Sequence, residues 1–381
     1  MKKLAIWLWL ALTGTLTAPA QQEIFAPRAV APVVNADGSV TLTLFNPVAK
    51  QAQLVFDGIA PQTMTRDSAG VWTVTTPALA DGIYRYNFLV DGQKTLDNSN
   101  AFTMRDVATV MNTIVVDRSG ACPFASHDVP HGNISAVWYP ATQGKTRRMM
   151  VYTPAGYDDT DARYPVFYLL HGSGGDETAW LEQGRLAQVM DNLIAQGKAV
   201  PMIVVMPNGN VDEDAAPGNG SAGQVQPTFD HKQWMEGSFE TTFGDITNYV
   251  QTHYRVKTGA DNTAIAGLSM GGFHSLYISA NHPHDFGYVG LFSAAITPRN
   301  NPNSPIYANI DAKLATQFAA NPRLYWIGIG SDDFLYQENK AFRQQLDAAG
   351  CKYVYHESTG GHEWRNWRDY LTLFTPLLFK P

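Results

Sequence analysis

The strongest chemical signal in the chain is a serine among glycines at residues 267–272, which read Gly-Leu-Ser-Met-Gly-Gly. An apolar run, Thr263–Ala266, precedes this segment, and a predicted helix at Phe273–Ala280 follows it. At a sharp turn between a strand and a helix, glycines give the strained backbone the space it needs, and the serine hydroxyl is exposed. The pattern predicts Ser269 as a nucleophile, in preference to a structural glycine-rich turn.

A nucleophilic serine needs a base, and an acid that orients this base. The apolar run Arg323–Gly330 predicts a buried parallel strand, and two aspartates, Asp332 and Asp333, follow it closely. His362 comes later, directly after two glycines. The chain order serine, aspartate, histidine predicts His362 as the base and Asp333 as the acid, with Asp332 as the alternative.

Other histidines compete for the role of base, because the chain has ten of them. His171 belongs to another loop, His274 lies about one helical turn beyond the serine, and His356 continues a predicted strand. None of the three combines the chain order with a glycine-rich approach and a position after a strand. We expect them to take part in packing or local hydrogen bonds.

The reaction of a serine with a carbonyl group also needs donors for the developing oxyanion. The predicted strand Tyr164–Leu170 ends in His-Gly-Ser-Gly-Gly at residues 171–175. A loop of this kind supplies one backbone N–H group, and the residue after the nucleophile supplies the other. We therefore expect the N–H groups of Ser173 and Met270 to form the oxyanion hole. No Gly-Lys-Ser/Thr follows the glycines, which argues against a phosphate-binding loop.

Several ordered motifs together resemble carbohydrate esterase family 1, the feruloyl and acetylxylan esterase branch of the esterase D-like α/β-hydrolases. They are Tyr152–Tyr157, Leu169–Gly172, Gly174–Glu177, 267–272, Gly330–Leu335 and Gly361–Trp364. The larger group includes enterochelin esterases, S-formylglutathione hydrolases and mycolyltransferases. The resemblance covers residues 135–381 and implies an α/β-hydrolase domain there. In that family the acid is the third residue after the strand-ending glycine, which favours Asp333.

The resemblance also implies a substrate class: feruloyl or related hydroxycinnamoyl esters of plant arabinoxylan, cleaved through an acyl-enzyme. Acetylxylan esterase and siderophore (enterochelin-type) esterase are the alternatives, and an acyltransferase or a non-catalytic carbohydrate-binding protein would be a different class. No cofactor is expected, and no cluster of histidines and cysteines suggests a metal. Four aromatic residues are candidates for the substrate pocket: Trp180, Trp234, Tyr336 and Trp364.

The remainder of the chain predicts a second domain. Short alternating segments separated by Asp-Gly and Asn-Pro turns at residues 21–117 predict a small antiparallel β-sandwich. Residues 82–92 resemble the immunoglobulin-like early-set domains of family 48 carbohydrate-binding modules. The aromatic residues Trp72, Tyr84 and Tyr86 lie in its strands and are expected in the core more often than on a sugar-binding surface. Residues 118–134 predict a connector.

Two long stretches, 210–238 and 297–313, follow predicted strands of the α/β domain and contain many turn-forming residues. Loops of this length at the active edge of an α/β sheet are commonly functional. We expect both stretches to form walls of the substrate pocket.

The first residues indicate export. Two lysines, a short apolar run and Ala-Pro-Ala at residues 18–20 form the pattern of a cleaved signal peptide at 1–20. We expect a periplasmic or extracellular protein without a stable membrane anchor. Export makes a disulfide between the two cysteines, Cys122 and Cys351, possible, but two separate thiols are the preferred interpretation. The net charge of −7 argues against nucleic acid as a partner.

Overall fold

The computed structural model describes residues 30–221, 223, 227–229, 231 and 233–380. The predicted signal peptide at residues 1–20 lies outside this range. Among the described residues, no helix is both long and apolar enough to cross a membrane.

Two antiparallel sheets form the first part of the chain. Their strands are β1 (Val33–Val34), β2 (Val40–Phe45), β3 (Ala52–Phe56), β4 (Ile59–Thr63), β5 (Thr65–Arg66), β6 (Val71–Thr75), β7 (Gly82–Val90), β8 (Gln93–Thr95), β9 (Thr103–Asp106) and β10 (Thr109–Val116). One sheet has the order β1-β2-β6-β5, and the other has β4-β3-β7-β10-β9 with β8 beside β7. The separate early-set domain stays a prediction, whereas the antiparallel strands are present.

Alternating side chains bring these two sheets together. Val40 and Leu42 of β2 belong to the same buried cluster as Leu54 and Phe88 from the other sheet. The period of two places these residues on one face of each strand. The aromatic residues Trp72 and Tyr86 are buried in this cluster, and the ring of Tyr84 stacks on that of Phe56. The expectation of core positions for Trp72 and Tyr86 is thus confirmed.

The second part of the chain forms an eight-stranded sheet. Its strands are β11 (Asn133–Ala141), β12 (Lys145–Thr153), β13 (Val166–Leu170), β14 (Ile203–Pro207), β15 (Thr263–Leu268), β16 (Tyr288–Phe292), β17 (Leu324–Gly330) and β18 (Val354–Ser358). The spatial order is β11-β12-β14-β13-β15-β16-β17-β18. β12 pairs antiparallel with β11 and β14, and all other neighbours are parallel.

Helices cover both faces of this sheet. They are α1 (Ala179–Glu182), α2 (Leu186–Ala195), α3 (Ser238–His253), α4 (Met270–Asn281), α5 (Ile310–Ala319), α6 (Tyr336–Ala348) and α7 (Trp364–Phe374). Consecutive residues of β13 contact opposite layers: the ring of Tyr168 meets Phe243 of α3, and that of Phe167 meets Phe374 of α7. Burial on both faces explains why the central strands are continuous apolar runs.

The sequence prediction differs from this structure in particular places. The hairpin of β11 and β12 and the helices α1 and α2 were not predicted, and α5 begins inside the stretch predicted as a loop at 297–313. The predicted connector is firmly packed, because Cys122 and Phe124 are buried in a cluster with the α/β part. Cys122 and Cys351 are both free thiols.

The two parts of the chain share a hydrophobic cluster. Ile83 of β7 and Met104 of β9 are buried with residues of α2, α7 and the large sheet. The six-stranded sheet therefore packs directly on the α/β part, beside the strand ends that carry the predicted catalytic residues.

Helix α7 offers a test of how far the large sheet depends on its covering layer. Its buried positions Trp364, Trp367, Leu371 and Phe374 follow helical spacing, whereas Leu373 is exposed. We expect Leu371→Ala to lower the free energy of unfolding by about 2–5 kcal/mol, because it leaves a cavity in a closed core. The matched change Leu373→Ala should cost less than about 0.5 kcal/mol. Urea unfolding measures the free energy of unfolding of both variants. Equal losses would contradict the assignment of Leu371 to the core and of Leu373 to the surface.

Candidate active site

Ser269 occupies the turn between β15 and α4 in a strained conformation. Its φ is 52° and its ψ is −113°, a combination that residues other than glycine rarely adopt. The Ser269 N–H donates to the carbonyl oxygen of Phe292 at 2.9 Å, and the N–H of Ala295 donates to the Ser269 carbonyl oxygen at 3.1 Å. These two bonds hold the turn against the end of β16.

The glycines around Ser269 are required by close backbone contacts. A side-chain carbon at Gly267 would overlap the backbone of Gly271, and one at Gly271 would overlap the carbonyl oxygen of Leu170 at the end of β13. The turn that carries Ser269 and the neighbouring loop therefore lie against each other. This packing explains the Gly-x-Ser-x-Gly spacing in steric terms.

His362 and Asp333 form a hydrogen-bonded pair. The Nδ1–H of His362 donates to Asp333 Oδ2 at 2.9 Å and lies 3.0 Å from Oδ1. The side chain of Asp333 is fully buried and also accepts the N–H of Leu335 at 2.8 Å. Asp332 is exposed instead. Because Nδ1 carries the proton, Nε2 of His362 is left as the basic nitrogen.

Ser269 and His362 line the same cavity, which has a volume of about 450 Å³. Aromatic side chains form much of its wall: Phe229, Trp234, Phe334, Trp364 and Trp367. Polar or charged residues also contribute: Arg85, Asp106, Gln183, Arg299 and Glu363. A reactive serine and a histidine–carboxylate pair in a partly apolar cavity can carry out acyl transfer.

The predicted oxyanion loop lies beside Ser269. A side-chain carbon at Gly172 would lie 3.3 Å from Cβ of Ser269. Among the described residues, no protein acceptor is bonded to the N–H of Ser173 or of Met270, so both are available to an oxygen atom of a ligand. The Ser173 hydroxyl accepts the indole N–H of Trp234 at 2.6 Å, which joins the loop to the stretch at 210–238.

The four predicted pocket residues divide into two pairs. Trp234 and Trp364 line the cavity. Trp180 is instead fully buried beneath it, where its indole N–H donates to the carbonyl oxygen of Leu170 at 3.0 Å. Tyr336 points its hydroxyl at Glu357, at 2.8 Å, and is also absent from the described lining. The prediction that Trp180 and Tyr336 line the cavity is thus corrected. A position near the end of a strand does not by itself fix the direction of a side chain.

The cavity includes residues that the sequence analysis missed. Phe334 directly follows Asp333, is 72% exposed, and its ring centroid lies 4.5 Å from that of His362. Because Phe334 directly follows a predicted catalytic residue, the sequence could have indicated that it lies at the cavity. Arg85, Asp106 and Val107 come from the antiparallel sheets, and no local pattern marks them because only tertiary packing brings them to the cavity.

The competing histidines have other roles. His274 donates from Nδ1 to Glu240 at 2.7 Å in the core, and the ring of His356 stacks on Trp326. His171 donates from Nδ1 to the carbonyl oxygen of Gly172 at 2.8 Å and accepts the N–H of Gly209 at Nε2, at 2.7 Å. Burial lowers the pKa of His171 to about 4. The neutral ring thus joins the oxyanion loop to the end of β14.

Comparison with known proteins places these features in context. The Esterase family model matches residues 141–376. An endo-1,4-beta-xylanase/feruloyl esterase of Xylanibacter ruminicola is 30% identical over 359 residues, which cover 92% of this chain and 46% of the relative. The chain therefore spans about half the length of that relative. An acetyl esterase of Caldicellulosiruptor saccharolyticus is 24% identical over 234 residues, covering 54% of this chain and 80% of the relative.

Solved structures show a similar fold. A ferulic acid esterase from Anaeromyces mucronatus has a TM-score of 0.56 at 25% identity, covering 74% of this chain and 97% of the other. An enterobactin esterase from Shigella flexneri has a TM-score of 0.62 at 18% identity, covering 94% and 97%. The α/β-hydrolase fold of the second part of the chain is thus confirmed.

The buried neutral His171 predicts a pH dependence of stability. In the unfolded chain its pKa returns to the ordinary value near 6.5, so between about pH 4 and 6.5 the unfolded state binds more protons than the folded state. The free energy of unfolding should therefore fall as the pH falls through this window. We expect the decline to be shallower in His171→Gln, as measured by urea unfolding at pH 7, 6, 5 and 4.5.

The exposed His282 supplies the matched control. His282→Gln should follow the pH dependence of the unmodified chain. If the free energy of unfolding depends on pH in the same way in His171→Gln and in the unmodified chain, burial of a neutral His171 is not the cause of the decline.

Proposed function

This chain belongs to the Esterase family, and we propose that it is a serine carboxylic-ester hydrolase that releases ferulate or a related hydroxycinnamate from plant arabinoxylan. One observation carries the proposal: the strained Ser269 shares a cavity with His362, whose Nδ1 is bonded to a buried carboxylate. A strained serine beside an oriented base is the arrangement that acyl transfer requires.

The proposed reaction has two halves. Ser269 Oγ attacks the ester carbonyl carbon while His362 Nε2 takes its proton, and Asp333 stabilises the imidazolium. The N–H groups of Ser173 and Met270 bind the oxyanion. The C–O bond to the alcohol breaks, and this alcohol leaves with the proton from His362. Water then attacks the acyl-enzyme with the same proton transfers, which releases the acid and restores Ser269.

The lining of the cavity favours an aromatic acyl group. Rings from separate segments of the chain surround the reacting atoms, among them Phe229, Trp234 and Phe334. Planar rings of a hydroxycinnamate can pack in offset or edge contacts on such walls, whereas an acetyl group would leave most of the space to water. The similarity to the endo-1,4-beta-xylanase/feruloyl esterase of Xylanibacter ruminicola supports the same choice.

Other ester substrates remain the alternatives. Acetylated xylan is supported by the likeness to an acetyl esterase, and a siderophore ester would use the same catalytic residues. An acyltransferase shares the acyl-enzyme and differs only in the acceptor. Our proposal extends to secretion after removal of residues 1–20, and to a carbohydrate-binding early-set domain at residues 21–117. An enzyme that acts on a plant polysaccharide outside the cell would need to be secreted and would benefit from a domain that binds the polysaccharide.

A comparison of three substrates tests the proposed function. The purified chain should release free acid fastest from methyl ferulate, more slowly from acetylated xylan and from a siderophore ester. Ser269→Ala should lower turnover by about 10³-fold or more, because the triad acts as a unit. The exposed Ser68 gives a control, and Ser68→Ala should retain full activity. Faster release of acetate would favour the acetylxylan alternative, and an active Ser269→Ala variant would refute serine catalysis.

The adjacent aspartates provide an internal comparison. Asp333→Asn should lower kcat by about 10³- to 10⁴-fold, because the amide favours the wrong tautomer of His362. Asp332→Asn should leave kcat within about twofold, since Asp332 is exposed and its removal leaves the His362–Asp333 bond intact. Hydrolysis of methyl ferulate at saturating concentration measures both variants. The reverse order would move the role of the acid to Asp332.

A further inference from the structure

The oxyanion loop contains a buried carboxylate whose partner comes from another sheet. The side chain of Asp176 is only 2% exposed. Its Oδ1 accepts the N–H of Thr178 at 2.9 Å and the Thr178 hydroxyl at 2.7 Å. Its Oδ2 accepts a guanidinium N–H from Arg105 on β9. An ion pair thus links the loop to the antiparallel sheet that precedes the α/β part.

Arg105 also holds the turn that follows it. Its Nη1 donates to the carbonyl oxygen of Val107 at 2.7 Å, within the hairpin of β9 and β10. Val107 has a φ of 52°, which is strained for a β-branched residue. The guanidinium therefore fixes the hairpin turn and the oxyanion loop to each other through separate N–H groups.

The hairpin turn contacts the residue next to Ser173. Gly174 has a φ of 77°, and a side-chain carbon there would lie 2.8 Å from Cγ2 of Val107. Asp106 and Val107 are themselves part of the cavity wall. The antiparallel sheet thus reaches both the inside of the cavity and the segment that carries one of the two oxyanion donors.

We propose that Arg105 is a positioning residue for ester hydrolysis, and that the hairpin of β9 and β10 is a structural component of the active site. Arg105 acts through Asp176, whose position sets the direction of the Ser173 N–H. This inference rests on the proposed function. It implies that the antiparallel sheets contribute to turnover of small soluble esters, in addition to any binding of polysaccharide.

The physical reason is the loss of the link that Arg105 forms between the hairpin and the loop. Without the guanidinium, Asp176 keeps its bonds to Thr178 within the loop but loses the ion pair to the hairpin, so the loop and its N–H donor can shift. A displaced oxyanion donor lowers the rate of the chemical step with little effect on substrate binding, because the donor acts mainly in the transition state.

The test uses Arg105→Ala in the full chain with 4-nitrophenyl acetate, a small activated ester whose turnover does not require a ferulate pocket. We expect kcat to fall at least about tenfold with KM changed less than about twofold. Arg66 on β5 is exposed and remote from the cavity, so Arg66→Ala is the matched control and should keep the kcat of the unmodified chain. A kcat for Arg105→Ala equal to that of the control would overturn the inference.

A double variant separates positioning from a simple loss of stability. Arg105→Ala with Asp176→Asn removes both charges, and the asparagine oxygen can still accept from Thr178. We expect its kcat to stay low although no buried charge is unpaired. Recovery to the level of the unmodified chain would overturn the inference. This variant also carries the test if Arg105→Ala alone does not fold.

Binding of a transition-state analogue gives a second readout. Phenylboronic acid forms a tetrahedral adduct with an active-site serine and places an oxygen toward the oxyanion donors. Its affinity should fall in the double variant by about the same factor as kcat, and unchanged affinity would contradict a role at the oxyanion. Failure of the unmodified chain to hydrolyse 4-nitrophenyl acetate would instead refute the proposed function.

Discussion

The strained backbone at Ser269 is the constraint on which the rest of the site depends. A residue with this combination of φ and ψ costs about 1–3 kcal/mol, so the surrounding structure must hold it in place. The bonds to Phe292 and from Ala295 tie the turn to β16. The contact between Gly271 and the carbonyl oxygen of Leu170 ties it to β13. Ser269 is thus held by both strands that flank β15, and such a position exists only in the middle of a sheet.

Buried charge imposes a second constraint around this centre. Several carboxylates near the site are buried, and each has a cationic or hydrogen-bonding partner from a distant segment. Asp333 is bonded to His362, Asp176 to Arg105, and Glu177 to Arg148 at 2.6 Å. Because breaking such a pair leaves an uncompensated charge, these contacts resist displacement of the loops more than they add to net stability. They therefore favour a single geometry of the loops that carry the reacting groups.

The parts of the site that sequence could predict are those encoded locally. Ser269, Asp333 and His362 each follow a predicted strand, and parallel strands end at one edge of the sheet. The lining was less predictable, because it depends on the direction of side chains and on distant packing. Trp180 was expected in the cavity but faces the core, where it fills space beneath the loop. Arg85 and Val107 reach the cavity only because two sheets pack together, which no local pattern encodes.

Part of the cavity wall comes from a different sheet than the predicted catalytic residues. Ser269, Asp333 and His362 follow strands of the eight-stranded sheet, whereas Val107 and Asp106 belong to a hairpin of another sheet. A change in that hairpin alters the shape and charge of the cavity without moving the strands under Ser269. However, Arg105 joins the same hairpin to the proposed oxyanion loop through Asp176, so under our proposal the wall and the catalytic groups depend on each other. The side chains of Asp106 and Val107 line the cavity, whereas the proposed positioning role requires Arg105 and Asp176 together. The hairpin thus meets the cavity through Asp106 and Val107 and meets the loop through Arg105 and Val107.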